Sequence, residues 1–331
     1  MIRFGVIGTN WITEELIHAA SEIEDFSLTA VYSRTETKAK EFAARFNAPH
    51  VYTDLDTMAN SSEVDAVYIA SPNSLHAEQA ITCMKHGKHV LCEKPIASNA
   101  REVQEMFRVA RENNVLLMEA VKSTITPNFR AIQANLHKIG KLRRFTSSFC
   151  QYSSRYDAYQ AGTILNAFNP AFSSGSLMDI GMYCVYPMVV LFGRPSGIQA
   201  SGLLLESGVD GQGSMLVKYE DKDAVLMHSK ITNSNLPSEI QGELGTIVID
   251  KISSPNKVEI RYKDGTLEDL TQPQVPRTMV YEVREFIELI TKGEVESPTN
   301  SYRNSLIVME ILDEARKQMG VVFPADKRSG E

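Results

Sequence analysis

The sequence predicts an α/β protein in two parts. Residues 1–120 read as a doubly wound parallel sheet, and residues 121–331 as an α+β domain with a largely antiparallel open sheet. Three observations predict this. Short apolar runs alternate with amphipathic stretches up to about residue 120; consecutive strands joined by short turns follow; two long amphipathic stretches close the chain.

In the first part the β-rich runs are IRFGVIG, FSLTAVYS, HVYT, VDAVYIAS, HVLCE and VLLMEA. Helical patterns separate them: one from about residue 12, then 36–46, 54–59, 74–86 and 98–113. Strands spaced by such helices form parallel βαβ units, whose strands are covered on both faces and therefore apolar throughout. Right-handed crossovers then give a doubly wound Rossmann sheet with ligands at the carboxyl ends of its strands.

After residue 120 a helix is expected near 126–138, followed by the long β run KLRRFTSSFCQYS, a loop rich in Tyr, Asn and Ser, and a helix from about 176. Strands over GIQASGLLLES, GSMLVKYE, DAVLMHSKIT, SEIQGELGTIVID and KVEIRYKD come next, and turn-rich segments such as EDKD and KDG make them antiparallel neighbours. RTMVYEVREFIELITKG and SYRNSLIVMEILDEARKQMG carry apolar residues at helical spacing. No internal repeat or low-complexity segment interrupts the pattern.

The chain has 331 residues, 43% of them hydrophobic and 23% charged, with a formal net charge of -7. Its cations are scattered among acids, which argues against nucleic acid as a partner, because phosphate binding needs a clustered positive surface. No apolar run comes close to the roughly 18 residues of a membrane span, so no membrane partner is expected. The first residues already read as a strand, with no basic segment leading into an apolar one, which predicts a cytoplasmic protein. Cys83, Cys92, Cys150 and Cys184 make no C-x-x-C pair, and the histidines show no metal-ligand spacing. Free thiols and no metal are the expectations.

The stretch GVIGTNWITEEL sits where a strand turns into a helix. A dinucleotide loop wants G-x-G-x-x-G/A there, so that backbone N–H groups approach a pyrophosphate at the helix N-terminus. Gly8 fits, Asn10 replaces the second glycine and Thr13 the third. Asn tolerates positive φ, so Asn10 is expected to keep the turn, while Thr13 is expected to widen the contact between strand and helix. On this reading Gly8, Thr9, Asn10, Trp11 and Ile12 form the phosphate loop; an ordinary strand-to-helix turn is the alternative. About 25 residues beyond Gly8, where an acid would bind a ribose 2′-hydroxyl, stand Ser33 and Arg34, with Lys38 one turn on. A small donor and cations suit a 2′-phosphate, which favours NADP, with NAD possible; a solvated loop arginine is the other reading.

Farther on, YIASPNSLHAEQAITCMKHGKHVLCEKPIASNAREV contains Ser71-Pro72-Asn73 with His76, then Glu93-Lys94-Pro95. SSGSLMDIGMYCVYP supplies Asp179 and Tyr183. These segments resemble the glucose-fructose oxidoreductase and inositol 2-dehydrogenase family, in particular the subgroup of dihydrodiol dehydrogenase, which carries Tyr where many members have His. The resemblance spans most of the chain. It implies an oxidoreductase moving a hydride between NADP and a carbinol or carbonyl carbon of a sugar, polyol or diol. It also implies cofactor contacts from Ser71, Asn73, His76, Glu93 and Lys94, a packing role being the alternative for His76.

Physical chemistry supports the same groups. Lys94 follows an apolar strand at the sheet's carboxyl edge, where a partly desolvated lysine can hydrogen-bond a substrate oxygen and stabilise developing negative charge; Pro95 biases it toward extended backbone. Glu93 is its natural partner. Asp179 and Tyr183, four apart, share a helix face. A phenol titrates near 10 when unperturbed, so proton transfer by Tyr183 needs a nearby cation, for which Lys94 is the candidate. Asp179 would orient the substrate or the lysine. Lys122 stands near the point where the family often has Arg, and with Tyr183 it is the expected substrate contact.

Two other readings stay open at this point: a non-catalytic NADP-binding regulator, and a reductase of a C=N or C=C bond. Relatives commonly pair through the outer face of the antiparallel sheet, and SGLLLES and DAVLMHS are apolar, so a homodimer or larger homo-oligomer is expected. The loop RYDAYQAGTILNAFNPAFSS is expected to set substrate identity.

Overall fold

A computed structural model describes residues 1–327 and divides the chain into two compact units. Met1–Lys122 and Pro276–Ser305 form the first; Ser123–Val275 and the described residues 306–327 form the second.

The first unit starts as an unbroken alternation: β1 (Ile2–Ile7), α1 (Trp11–Ala20), β2 (Phe26–Tyr32), α2 (Glu36–Phe46), β3 (His50–Tyr52), α3 (Leu55–Ala59), β4 (Ala66–Ile69), α4 (Asn73–Lys85), β5 (His89–Glu93), α5 (Ala100–Glu112) and β6 (Leu117–Ala120). All pairings are parallel and the order is β3-β2-β1-β4-β5-β6, so the winding reverses between β1 and β4. That is the Rossmann arrangement, with its crevice at the carboxyl ends of those two strands. Every residue of β4 and β6 is buried, as continuous apolar runs require. Side chains set the helix starts. Asp54 accepts from Thr57 N at 2.8 Å, and Asn99 accepts from Glu102 N at 3.1 Å while Glu102 reaches back to Ser98 N.

In the second unit come α6 (Pro127–Asn135), β7 (Leu142–Cys150), α7 (Ser154–Gln160), α8 (Met182–Phe192), β8 (Gly197–Leu204), β9 (Asp210–Lys218), β10 (Asp223–Ser229), β11 (Ser238–Gly242), β12 (Gly245–Ile249), β13 (Val258–Tyr262) and β14 (Leu267–Asp269). The sheet order is β14-β13-β12-β11-β7-β10-β9-β8, antiparallel except for the pair β7 and β10. α7 lies within the segment read from sequence as loop. Phe145, Ile240, Ile247 and Ile260 fill the inner face and are fully or almost fully buried.

α9 (Met279–Lys292) returns to the first unit, where the Phe286 ring lies 5.9 Å from that of Phe4 and is fully buried. Burial of a phenyl ring this complete is worth about 3–5 kcal/mol against alanine. α10 (Tyr302–Met319) begins in the first unit, with Tyr302 stacked on Phe107 at 4.1 Å, and runs on into the second.

The segment 170–192 opens on a 3₁₀ turn at Pro170–Phe172, is irregular at 173–175 and is helical from Ser176; in the mean it is apolar enough to cross a membrane by length and composition, although it contains no unbroken apolar run. The short polar residues within it hid its mean apolarity. Its most apolar window is 72% buried inside the fold, as befits a core helix. All four cysteines are free thiols, Cys150 only half-buried.

The first unit's core also holds acids. Glu119 on β6 is 2% exposed and accepts from Ile96 N at 3.0 Å; burial pushes its carboxyl from 4.5 up to about 7. An acid whose folded pKa is raised contributes stability that is full below its unfolded pKa and is lost as pH rises through its folded one. Wild-type stability is therefore expected to fall by on the order of 3 kcal/mol more than that of Glu119→Gln between pH about 4.5 and about 7. Denaturant unfolding of both proteins across that window checks it; parallel curves would contradict it.

Candidate active site

The loop after β1 builds the first part of the site. Gly8 takes the left-handed φ of +104°, and a Cβ there would lie 2.6 Å from the carbonyl oxygen of Ala70, just past β4. Only glycine permits that approach. The sequence reading assigned the positive φ to Asn10, and this is corrected: Asn10 is extended, at φ -118°. With Gly8 making the turn, Asn10 is left to cap α1. Its Oδ1 accepts from Ile12 N at 3.1 Å and Thr13 N at 3.3 Å, and its Nδ2 donates to Ala70 O at 2.6 Å. Thr13 is fully buried, its hydroxyl 3.5 Å from Asn10 Oδ1.

Those contacts occupy the amides of Ile12 and Thr13. Among the described residues no hydrogen bond takes the amides of Thr9, Asn10 and Trp11, so three donors remain at the start of α1. This donor set fits a pyrophosphate. Trp11, the chain's single tryptophan, is 65% exposed beside them. At the end of β2, Ser33 is half-buried with its N–H on Tyr52 O at 3.1 Å, and Arg34 and Lys38 are exposed on either side of the start of α2. Neither Ser33 nor Arg34 is an acid, and the nearest carboxylate in sequence, Glu36, pairs with Lys40 at 2.7 Å.

The loops after β4 and β5 are tied together by His76. It is fully buried in the first turns of α4, with Nδ1 2.9 Å from Pro95 O and Nε2 2.8 Å from Ser71 O. Burial holds its pKa below the usual value, so the neutral ring donates to one carbonyl only. Ser71 Oγ is engaged by Gln79 at 2.6 Å, and Asn73 opens α4.

Glu93 ends β5. Its Oε1 accepts from Tyr68 OH at 2.6 Å and its Oε2 from Lys94 N at 3.2 Å, so it fixes the backbone from which the half-buried Lys94 projects. The Lys94–Pro95 bond is cis. Burial raises the Glu93 pKa, with Lys94 and Lys122 opposing it; Glu119 and Glu282 are raised as well, chiefly by burial. Three buried carboxyls therefore lie within electrostatic reach of Lys94 and Lys122. Lys122 opens the short 3₁₀ turn after β6.

In the second unit Asp179 lies on a π-helical turn, Leu177–Gly181, that runs into α8. The sequence implied an ordinary helix. The wider turn coincides with Gly175, at φ +138°, and with a buried acceptor: Asp210 Oδ2 takes Leu177 N at 2.6 Å. Tyr183, in the first turn of α8, is half-buried with its ring edge-on to Phe149 at 5.7 Å.

Asp179 pairs with Lys230, which directly follows β10 and was not singled out in the sequence. A signal existed: Ala224, Leu226 and His228 are the inward positions of β10, and Lys230 continues their phase. Beneath the pair, His228 is 2% exposed, with Nδ1 2.9 Å from Ser176 Oγ and 3.7 Å from Asp210 Oδ2. Burial pushes the imidazole down to about 3 and the Asp210 carboxyl up to about 6. Neither favours charge at neutral pH to the usual extent. No cluster of three or more His, Cys, Asp or Glu suited to a metal occurs among the described residues.

The first unit thus offers three backbone donors and a lysine at a sheet edge, and the second offers Asp179 and Tyr183 on successive turns. Comparison with known proteins gives the family. Residues 2–121 match the family model described as the oxidoreductase family with an NAD-binding Rossmann fold, and residues 131–248 match the GFO/IDH/MocA C-terminal domain. The chain is 58% identical to scyllo-inositol 2-dehydrogenase (NADP(+)) IolU of Bacillus subtilis, over 99% of this chain and 100% of the relative. It is 32% identical to mouse trans-1,2-dihydrobenzene-1,2-diol dehydrogenase over 99% of both chains. Its fold superposes with TM-score 0.81 and 26% identity on the crystal structure of KijD10, a 3-ketoreductase from Actinomadura kijaniata in complex with TDP-benzene and NADP, covering 96% of this chain and 98% of that one. The protein belongs to the Gfo/Idh/MocA family of NAD(P)-dependent oxidoreductases.

Proposed function

We propose that the protein is an NADP-dependent dehydrogenase of a ring secondary alcohol in an inositol-type polyol, interconverting it with the ketone. The observation that carries this reading is the end-to-end similarity, at 58% identity, to an enzyme named for scyllo-inositol and NADP(+). The end of β2 is consistent with it, because it presents Ser33 and Arg34 rather than an acid.

A bound NADP supplies the hydride acceptor. The amides of Thr9, Asn10 and Trp11, with Gly8 and Ile12 shaping the loop, would hold its pyrophosphate; Ser33, Arg34 and Lys38 would hold its 2′-phosphate. Ser71 and Asn73 would contact a bound NADP, and His76 and Glu93 would hold the loops that receive it. Lys94 donates to the substrate oxygen and stabilises the alkoxide, Tyr183 carries the hydroxyl proton, and Asp179 accepts a hydrogen bond from the substrate. Lys122 is a further substrate contact.

The same reading makes the protein a homodimer in a reducing, cytoplasmic compartment, to which its four free thiols are suited. Leu203 on β8 and Leu216 on β9 are 51% and 56% exposed and share the outer face of the sheet. A second copy is the proposed cover for that face. Light scattering is expected to give a dimer mass that Leu216→Glu lowers to a monomer; a monomeric wild type would refute this part.

Cofactor choice is tested through Trp11. NADP is expected to quench the single tryptophan's fluorescence at lower concentration than NAD does. Arg34→Ala should raise the Kd for NADP by about 10- to 100-fold, the worth of one charge-assisted phosphate contact, and leave NAD binding unchanged. Tighter binding of NAD by the wild type would overturn the assignment.

A further inference from the structure

We propose that Lys230 is a positioning residue of this reaction, acting through Asp179. The inference rests on the oxidoreductase reading given above.

Its backbone is fixed on both sides. Lys230 N donates to Gly211 O at 2.9 Å, and Lys230 O accepts from Ser153 N at 2.9 Å. The side chain is 6% exposed, whereas that of Asp179 is 39% exposed. The pair thus has a dry cationic end and a wet anionic end. The ammonium lies 5.8 Å from the centre of the buried Phe168 ring and within electrostatic range of Asp210. Desolvating an ammonium is costly, and a buried ion pair seldom adds net stability over apolar packing of the same volume. Fold stability therefore gives little reason to keep a lysine at an inward strand position.

Geometry gives a better one. The π-turn carrying Asp179 is gripped twice from the sheet: Asp210 on β9 holds Leu177 N at its start, and Lys230 after β10 holds the Asp179 carboxylate. Asp179 is thereby located by two strands rather than by the helix alone. Tyr183, four residues on, is braced by Phe149 of β7. A carboxylate held in this way meets a substrate hydroxyl without reorganising, and displacements of about 1 Å in such a group can cost on the order of 100-fold in rate.

The test compares Lys230→Met, Lys230→Gln, Lys230→Arg, Asp179→Asn and the Lys230→Met/Asp179→Asn double variant of the full-length enzyme, with NADP and scyllo-inositol. Lys230→Met and Lys230→Gln are expected to lose about 100-fold in kcat/KM, chiefly in kcat, and Lys230→Arg to recover most of it. The double variant should be no slower than Asp179→Asn, since the lysine acts through that carboxylate. Quenching of Trp11 by NADP should persist in every variant. Wild-type rates in Lys230→Met or Lys230→Gln, or losses that multiply in the double variant, would overturn the inference while leaving the dehydrogenase assignment standing. A wild type that oxidises neither scyllo-inositol nor other polyols would overturn both.

Discussion

The cofactor side of the first unit depends on one close approach, between the turn after β1 and the carbonyl of Ala70 after β4. Gly8 has no Cβ to collide with that oxygen, and Asn10 donates to it at 2.6 Å. The contact joins the two strands at which the winding of the sheet reverses, so it closes the bottom of the crevice where Rossmann folds bind dinucleotides. A belt of hydrogen bonds continues along the same edge. His76 spans from Ser71 O to Pro95 O, Glu119 holds Ile96 N, and Glu93 holds Lys94 N. The loop that carries Lys94 thus lies against His76, which follows the loop that Gly8 and Asn10 meet at Ala70.

Electrostatics follows the same division of labour in both units. Glu93 and Glu119 lie within electrostatic reach of Lys94 and Glu282 within reach of Lys122, each acid with its pKa raised by burial. Behind Asp179 lie Lys230, then Asp210 and His228, whose titrations burial moves toward their neutral forms. In each case a half-buried charged side chain has buried titratable groups near it. Such support narrows the geometry of a site more than it adds to stability.

Much of this was legible in the sequence. The strands of the parallel sheet read as apolar runs because both faces are covered, and Glu93, Lys94, Asp179 and Tyr183 stood in recognisable surroundings. Other features needed three dimensions. Asn10 was given a positive φ because a fingerprint suggests which residue turns but not how the turn is shared; Gly8 took it and freed Asn10 for capping. The π-turn follows from Asp210, 33 residues beyond Leu177, and no local pattern announces it. Phe286 joins Phe4 across nearly the whole chain. Lys230 was within reach, since a lysine in phase with Leu226 and His228 is a charge placed inward.

The central claim, hydride transfer from a polyol carbon with Lys94 stabilising the alkoxide, is tested most directly by following deuterium from carbon-deuterated scyllo-inositol. The wild type is expected to form NADPH carrying the label, and Lys94→Ala to form essentially none while its Trp11 is still quenched by NADP. Unlabelled NADPH from the wild type, or undiminished transfer by Lys94→Ala, would contradict the account.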